Sequence, residues 1–333
     1  MIIQEYLQRL LPGKNISDVL VTKITGEASN RQYFRIQEKN NSRVLCIDPG
    51  FRSADPASYP FLVLHNILAS AAIAVPRIYA ADNVSGCLLM EDCGNMMLQD
   101  AVREKPELTE PLYLDVIDIM VQIQRIEKEG DAIAFTLSFD REKLMFEFDF
   151  FITHALQNNR NVSMGSAATA QLRRQFESIT DELTAETGLV LNHRDYHCRN
   201  ILIHNHQPVI IDFQDARMGL AQYDAASLLR DSYHKLDDSL LQRLQRYHYD
   251  SLLERNLCST AFDEYLRLFD LMAFQRNIKA LGTFFYQSTV VGNNSFKQYI
   301  EPTIAYLPDY INRHAELKTA GRIIMETLAP SLS

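Results

Sequence analysis

The sequence predicts an α+β fold of two lobes, a small β-rich one followed by a larger, mainly helical one. Three observations carry this reading. About the first ninety residues break into short apolar runs bounded by turn formers; from Met96 onward apolar residues recur at spacings of three and four; and one strand-rich island, Leu189–Phe213, interrupts the helical part. The lobes are expected over residues 1–92 and 93–333.

In chain order, strands are expected over Val19–Thr25, Arg31–Gln37, Arg43–Asp48, Arg77–Ala81 and Gly86–Glu91, with a helix over Tyr59–Ala72 between the third and fourth. Lys39-Asn40-Asn41 marks the turn between the second and third strands, and Asp48-Pro49-Gly50 ends the third. In the second lobe Pro111 suits a first helical turn, and Leu112, Val116, Ile119, Ile123 and Ile126 follow at helical spacing. Phe146, Phe150 and Phe151 fall in another helix, and Leu172, Phe176 and Ile179 in a third; both stripes read as core. A cleft between two such lobes is the expected place for a ligand.

With 333 residues, 47% hydrophobic and 23% charged, the chain has an ordinary globular composition and room for a large core. A net charge of −9 argues against a nucleic-acid partner, because such binding draws on Lys and Arg neutralising phosphates. The five cysteines are odd in number and form no C-x-x-C pair, so neither a zinc site nor a disulfide framework is indicated. The N-terminal apolar stretch is interrupted by Gln4, Glu5, Gln8 and Arg9, unlike a signal peptide. Ile67–Val75 stops at Pro76, too short to cross a bilayer. The expectation is a cytoplasmic protein with no membrane partner, its oligomeric state left open.

The island reads LVLNHRDYHCRNILIHNHQPVIIDFQD. Within it His193-Arg194-Asp195 is followed five positions later by Asn200 (200 − 195 = 5), then by strands Ile201–Ile203 and Val209–Ile211, the second of which delivers Asp212-Phe213-Gln214. This is the kinase catalytic-loop pattern H-R-D-x-x-x-x-N followed by a DFG-like metal aspartate. Phosphoryl transfer from ATP is mainly positioning and charge neutralisation. It needs a carboxylate beside the acceptor hydroxyl and oxygen ligands for Mg²⁺ near the phosphates. Asp195 is the candidate for the first task, and Asn200 and Asp212 for the second.

The chain resembles the aminoglycoside phosphotransferase-like superfamily of small-molecule kinases, whose fold is protein-kinase-like. Within it the chain is similar to the bacterial kinases of cell-wall recycling that phosphorylate N-acetylmuramate and N-acetylglucosamine at the anomeric hydroxyl. The matching segments are Gly26–Arg35, Leu88–Gly94, the loop from His193, Ile211–Ala216, Tyr223–Asp231 and Gln275–Phe284. The resemblance implies Asp195 as catalytic aspartate and Asn200 and Asp212 as magnesium ligands. It implies that the turn Gly26–Asn30, with Ser29, covers the phosphates, and that the backbone around Met90, Glu91 and Asp92 receives the adenine. The first lobe is then nucleotide-binding and the second catalytic and substrate-binding. His197, two after Asp195, stands where many protein kinases have a lysine that contacts the transferred phosphate. A donor role there competes with simple packing. His193 is read as structural, and Asp224 as a brace for the loop.

One departure stands out. Protein kinases carry a lysine on the third strand, paired to a glutamate on the next helix. Here the strand reads Val44-Leu45-Cys46-Ile47-Asp48, and Tyr59–Ala72 contains no Glu. Asp48 repels phosphate unless a metal or an arginine intervenes, and Arg31 and Arg35 are the nearest replacements. Arg276 and Lys279, three apart on one helical face, are candidates to hold the acidic substituent of an amino sugar, with an ordinary charged surface as the alternative. Three readings stay open: an anomeric amino-sugar kinase, a kinase for an aminoglycoside or other hydroxylated metabolite, and a nucleotide-binding module without turnover.

Overall fold

A computed structural model of the chain describes residues 2–10, 19–24, 30–39, 41–128, 130–159, 164–185 and 188–328. They gather into two compact units, Met1–Leu98 with Ile201–Asp215 and Gln99–Asn200 with Ala216–Ser333.

The first unit is built on a five-stranded antiparallel sheet of order β1-β2-β3-β5-β4, made of β1 (Leu20–Ile24), β2 (Gln32–Glu38), β3 (Asn41–Ile47), β4 (Ile78–Asp82) and β5 (Cys87–Glu91). All five expected strands form. The β2–β3 pairing runs further than expected, to Glu38 opposite Asn41, and Lys39 turns the chain at a φ of 50°. Helix α1 (Ile2–Leu10) sets Leu7 and Leu10, three apart, into a core with Ile36, Leu45, Cys87 and Leu89. Helix α2 (Pro60–Ser70) starts on a proline whose missing N–H costs nothing at that position, and buries Phe61, Leu64 and Leu68. Gly86 is required: its φ is 72°, and a Cβ there would lie 2.6 Å from the Asp48 carbonyl oxygen. Through this close approach the Asp48 amide donates to the Gly86 carbonyl at 2.8 Å.

The second unit is mainly helical: α3 (Leu98–Glu104), α4 (Thr109–Gln124), α5 (Ile133–Thr136), α6 (Arg141–Phe151) and α7 (Ser166–Ala185) precede the island. The predicted stripes of α4 and α7 are largely buried, but that of α6 is rotated. Phe148 and Phe151 are in the core, whereas Phe146 is 59% exposed and does not belong to it.

The island opens with β6 (Val190–Asn192), passes through 193–200, and forms the hairpin β7 (Ile201–His204)–β8 (Gln207–Ile210), which belongs to the first unit. Asn205 and His206 at its tip have φ of 50° and 64°, the left-handed pair of a two-residue hairpin turn. Strand β9 (Arg217–Gly219) then pairs antiparallel with β6, an element the sequence reading did not contain. Helices α8 (Gln222–Leu229), α9 (Asp238–Glu254), α10 (Phe262–Tyr286), α11 (Ile300–Ile304), α12 (Leu307–Arg313) and α13 (Lys318–Leu328) complete the chain. Helix α10 packs against α6 and α8. It can lie so close to α6 because position 282 is glycine: a Cβ there would sit 3.0 Å from the Phe151 Cα. Among the described residues no helix is long and apolar enough to cross a membrane.

Candidate active site

In the second unit the loop after β6 is pinned from below by carboxylates. Asp224 on α8 accepts the backbone N–H of His193 at 2.6 Å and of Arg194 at 3.0 Å, and Asp231 accepts that of Cys198 at 2.9 Å. Arg194 is thereby held at a φ of 86°, a conformation L-residues rarely adopt and one that persists only where the surroundings over-determine it. The buried Tyr196 hydroxyl donates to the Val116 carbonyl at 2.7 Å and ties the loop to α4. Asn200 donates its amide N–H to the Asp195 carbonyl at 2.9 Å, which turns its side-chain oxygen away from that carbonyl.

The Asp195 carboxylate does not stand alone. Lys279 Nζ on α10 lies 2.9 Å from its Oδ1, while Arg276 Nη2 and Arg194 Nε approach to 3.9 Å. Burial opposes ionisation here, but Lys279, Arg194 and Arg276 outweigh it and hold the carboxyl well below the usual carboxylate range. Arg276 is committed: Nη1 donates to the Arg194 carbonyl at 2.7 Å, Nη2 to Ser227 Oγ at 2.6 Å, and the guanidinium lies 4.4 Å from the centre of the Tyr223 ring. Arg276 and Lys279 thus do share a face of α10, and that face is turned to Asp195 rather than to open solvent. Burial lowers the His197 pKa to about 3, so the ring is neutral, and its buried Nδ1 has no hydrogen-bond partner among the described residues.

A cavity of about 150 Å³ opens beside this cluster, lined among others by Asp195, His197, Asp231, Tyr233, Lys279 and Phe284. The sequence reading had no role for Asp231, Tyr223 or Ser227. Asp231 lies just past the end of α8, which carries Asp224, so no helical spacing linked the two in the sequence. Burial pushes the Asp231 pKa up to about 6. The contribution of Tyr223, whose hydroxyl is 3.5 Å from Lys279 Nζ, had no signature distinct from ordinary core.

In the first unit Arg31 and Arg35, both proposed from sequence as phosphate anchors, have different surroundings. Arg35 forms a two-pronged pair with Asp92 at 2.6 and 2.8 Å and also reaches Asn95 at 2.8 Å, so it organises the segment after β5. Arg31 Nε donates to Asp48 Oδ2 at 2.6 Å, so an arginine does intervene at Asp48. Met90 is buried and lies in register with Val44 on one side and Ile78 on the other; Glu91 follows it at the end of β5. Asn30 is exposed, and Gly26 and Ser29 lie outside the described residues. Asp212, just past β8, sits at a φ of 65° with Gln214 Nε2 donating to its Oδ1 at 3.0 Å; Phe213 behind it is buried.

Among the described residues no three His, Cys, Asp or Glu side chains form a metal cage. Magnesium asks for less, since it is commonly held by one or two carboxylates together with substrate phosphates. Asp212 carries a carboxylate and Asn200 a carboxamide oxygen, both of a chemical type that such an ion accepts.

Residues 20–255 match the phosphotransferase enzyme family, and the chain belongs to it. Its fold is protein-kinase-like and its class is small-molecule kinase. The chain is 26% identical to an N-acetylmuramate/N-acetylglucosamine kinase of Neisseria meningitidis, over 97% of this chain and 94% of that one. It is 28% identical to the protein of the same name from Pseudomonas putida, over 93% and 88%. Among solved structures, a choline kinase from Cryptosporidium parvum superposes with a TM-score of 0.63 at 13% identity, covering 97% of this chain and 99% of the other. An ADP-bound aminoglycoside phosphotransferase superposes with a TM-score of 0.59, also at 13%, covering 91% and 96%. Likeness at that identity establishes the fold alone.

Proposed function

We propose that the protein transfers a phosphoryl group from ATP to the anomeric hydroxyl of an N-acetylated amino sugar, N-acetylmuramate or N-acetylglucosamine, as a step of peptidoglycan recycling. The observation that carries this is the ion pair of Asp195 with Lys279. A carboxylate held so far below its usual range is a weak base, and a weak base suits an acidic acceptor. An anomeric hydroxyl is more acidic than an ordinary alcohol. The relatives are named for the same two sugars.

In this reading Asp195 accepts the hydrogen bond of the acceptor hydroxyl, orients its oxygen and receives its proton. Lys279 keeps Asp195 ionised and offers positive charge to an acidic substituent of the sugar, and Arg276 fixes the loop from behind. His197, neutral, serves as a hydrogen-bond donor on the cavity wall. Bound ATP and Mg²⁺ would supply the phosphoryl group and the neutralisation of its charge. The residues proposed to hold them are the turn ending at Asn30, Arg31, the backbone from Met90 to Asp92, and the oxygens of Asn200 and Asp212.

A polycationic aminoglycoside fits poorly, because the charges gathered at Asp195 are Lys279, Arg276 and Arg194 rather than a set of carboxylates. The test is a rate panel with purified protein, ATP and Mg²⁺ against N-acetylmuramate, N-acetylglucosamine, kanamycin and choline. The two sugars should be turned over, the acid at least as well as the neutral sugar. Preference for kanamycin or choline would reject the proposal.

A further inference from the structure

The third strand lacks a lysine and α2 lacks a glutamate, yet the first unit holds a different ion pair, Arg31 with Asp48. Asp48, only 6% exposed, stands just past the end of β3 and is fixed on every side. Its Oδ2 accepts from Arg31 Nε at 2.6 Å and from the Tyr59 hydroxyl, its Oδ1 from the Gly50 N–H at 2.8 Å, and its own amide donates to Gly86. Arg31 immediately precedes β2, its guanidinium 5.6 Å from the centre of the Phe61 ring. Phe61 in turn packs at 5.1 Å against Phe213, the neighbour of Asp212.

We infer that the Arg31–Asp48 pair, braced by Tyr59, replaces the lysine–glutamate pair that anchors nucleotide phosphates in protein kinases, with Asp48 and Tyr59 as positioning residues for Arg31. The ion pair is inverted relative to that pair. The cation comes from the residue before β2 instead of from β3, and the anion follows β3 instead of sitting on the helix. Arginine suits the exchange, because its guanidinium stays charged and its planar geometry matches the oxygens of both carboxylate and phosphate. The inference rests on the ATP reading above.

Calorimetric titration with ATP and with adenosine, in Mg²⁺ and without an acceptor sugar, tests it on the whole protein. Arg31→Ala should weaken ATP about tenfold to a hundredfold, the worth of a charge-assisted hydrogen bond, and leave adenosine within about twofold. Asp48→Asn and the milder Tyr59→Phe should each weaken ATP several-fold. In an Arg31→Ala background Asp48→Asn should add nothing, because Asp48 acts through Arg31. Wild-type ATP affinity in Arg31→Ala, or in both Asp48→Asn and Tyr59→Phe, would overturn the inference. So would an equal loss from Asp48→Asn in both backgrounds, which marks general damage rather than positioning. A wild-type protein that binds neither ATP nor adenosine would overturn the ATP reading itself.

Discussion

Lys279 Nζ lies 2.9 Å from Oδ1 of Asp195, so the proposed base is paired to a lysine from a helix more than eighty positions along the chain. The pair sets the working pH range. With Lys279, Arg194 and Arg276 in place Asp195 stays ionised far below neutrality, and without Lys279 burial would push its pKa up. Lys279→Met should therefore move the acid limb of the kcat/KM profile to higher pH by about 1–3 units, so that activity is lost earlier on acidification than in the wild type. A pH–rate profile of the two proteins checks this. An unmoved acid limb would show that Asp195 does not report through Lys279.

Asp195→Asn preserves shape and removes the charge. Turnover should fall by about 10²–10⁴, while ATP affinity should be retained, because Asp195 faces the acceptor in the proposed site. Stopped-time kinetics and a nucleotide titration on the same preparation separate the two effects.

Asp212→Asn and Asn200→Ala should each raise the Mg²⁺ concentration needed for half-maximal activity at saturating ATP. Loss of one oxygen donor weakens capture of an ion that demands near-octahedral geometry. Unchanged metal titrations in both variants would remove these residues from the metal site.

The sequence made the β-sheet legible because its strands are flanked by turn formers, and the loop legible because its motif spacing is rigid. It could not show the partners of Asp195. Arg276 and Lys279 were visible as two cations on one helical face, but a charged face looks the same whether it meets solvent or a partly buried carboxylate. The orientation of α10 decides between them, and that depends on contacts such as Gly282 against Phe151. Strand β9 escaped because Arg217-Met218-Gly219 is too short to carry a period; its pairing with β6 is what fixes it. Phe146 was misjudged because an aromatic on a helix reads as core until the neighbouring helices show which face they cover.

Gly86 and Gly94 both have a left-handed φ, of 72° and 82°, but only Gly86 has backbone against it: the Asp48 carbonyl would lie 2.6 Å from an added Cβ, whereas nothing lies within 4 Å at Gly94. Gly94→Ala should cost only about 1 kcal/mol of conformational strain. Gly86→Ala should cost about 2–4 kcal/mol, lower Tm by several degrees more, and displace Asp48. Thermal unfolding of the two variants side by side checks the difference, and equal Tm values would contradict it.

The oxygen that receives the phosphoryl group distinguishes an anomeric kinase from other sugar kinases. Phosphorus NMR of the product formed from N-acetylglucosamine or N-acetylmuramate identifies it directly, because phosphorus on the anomeric oxygen couples to the single anomeric proton and the ester is labile to mild acid. A 1-phosphate is expected, seen as a doublet that disappears on brief acid treatment with release of free sugar and inorganic phosphate. An acid-stable 6-phosphate, coupled to the two protons of a methylene, would contradict the anomeric assignment.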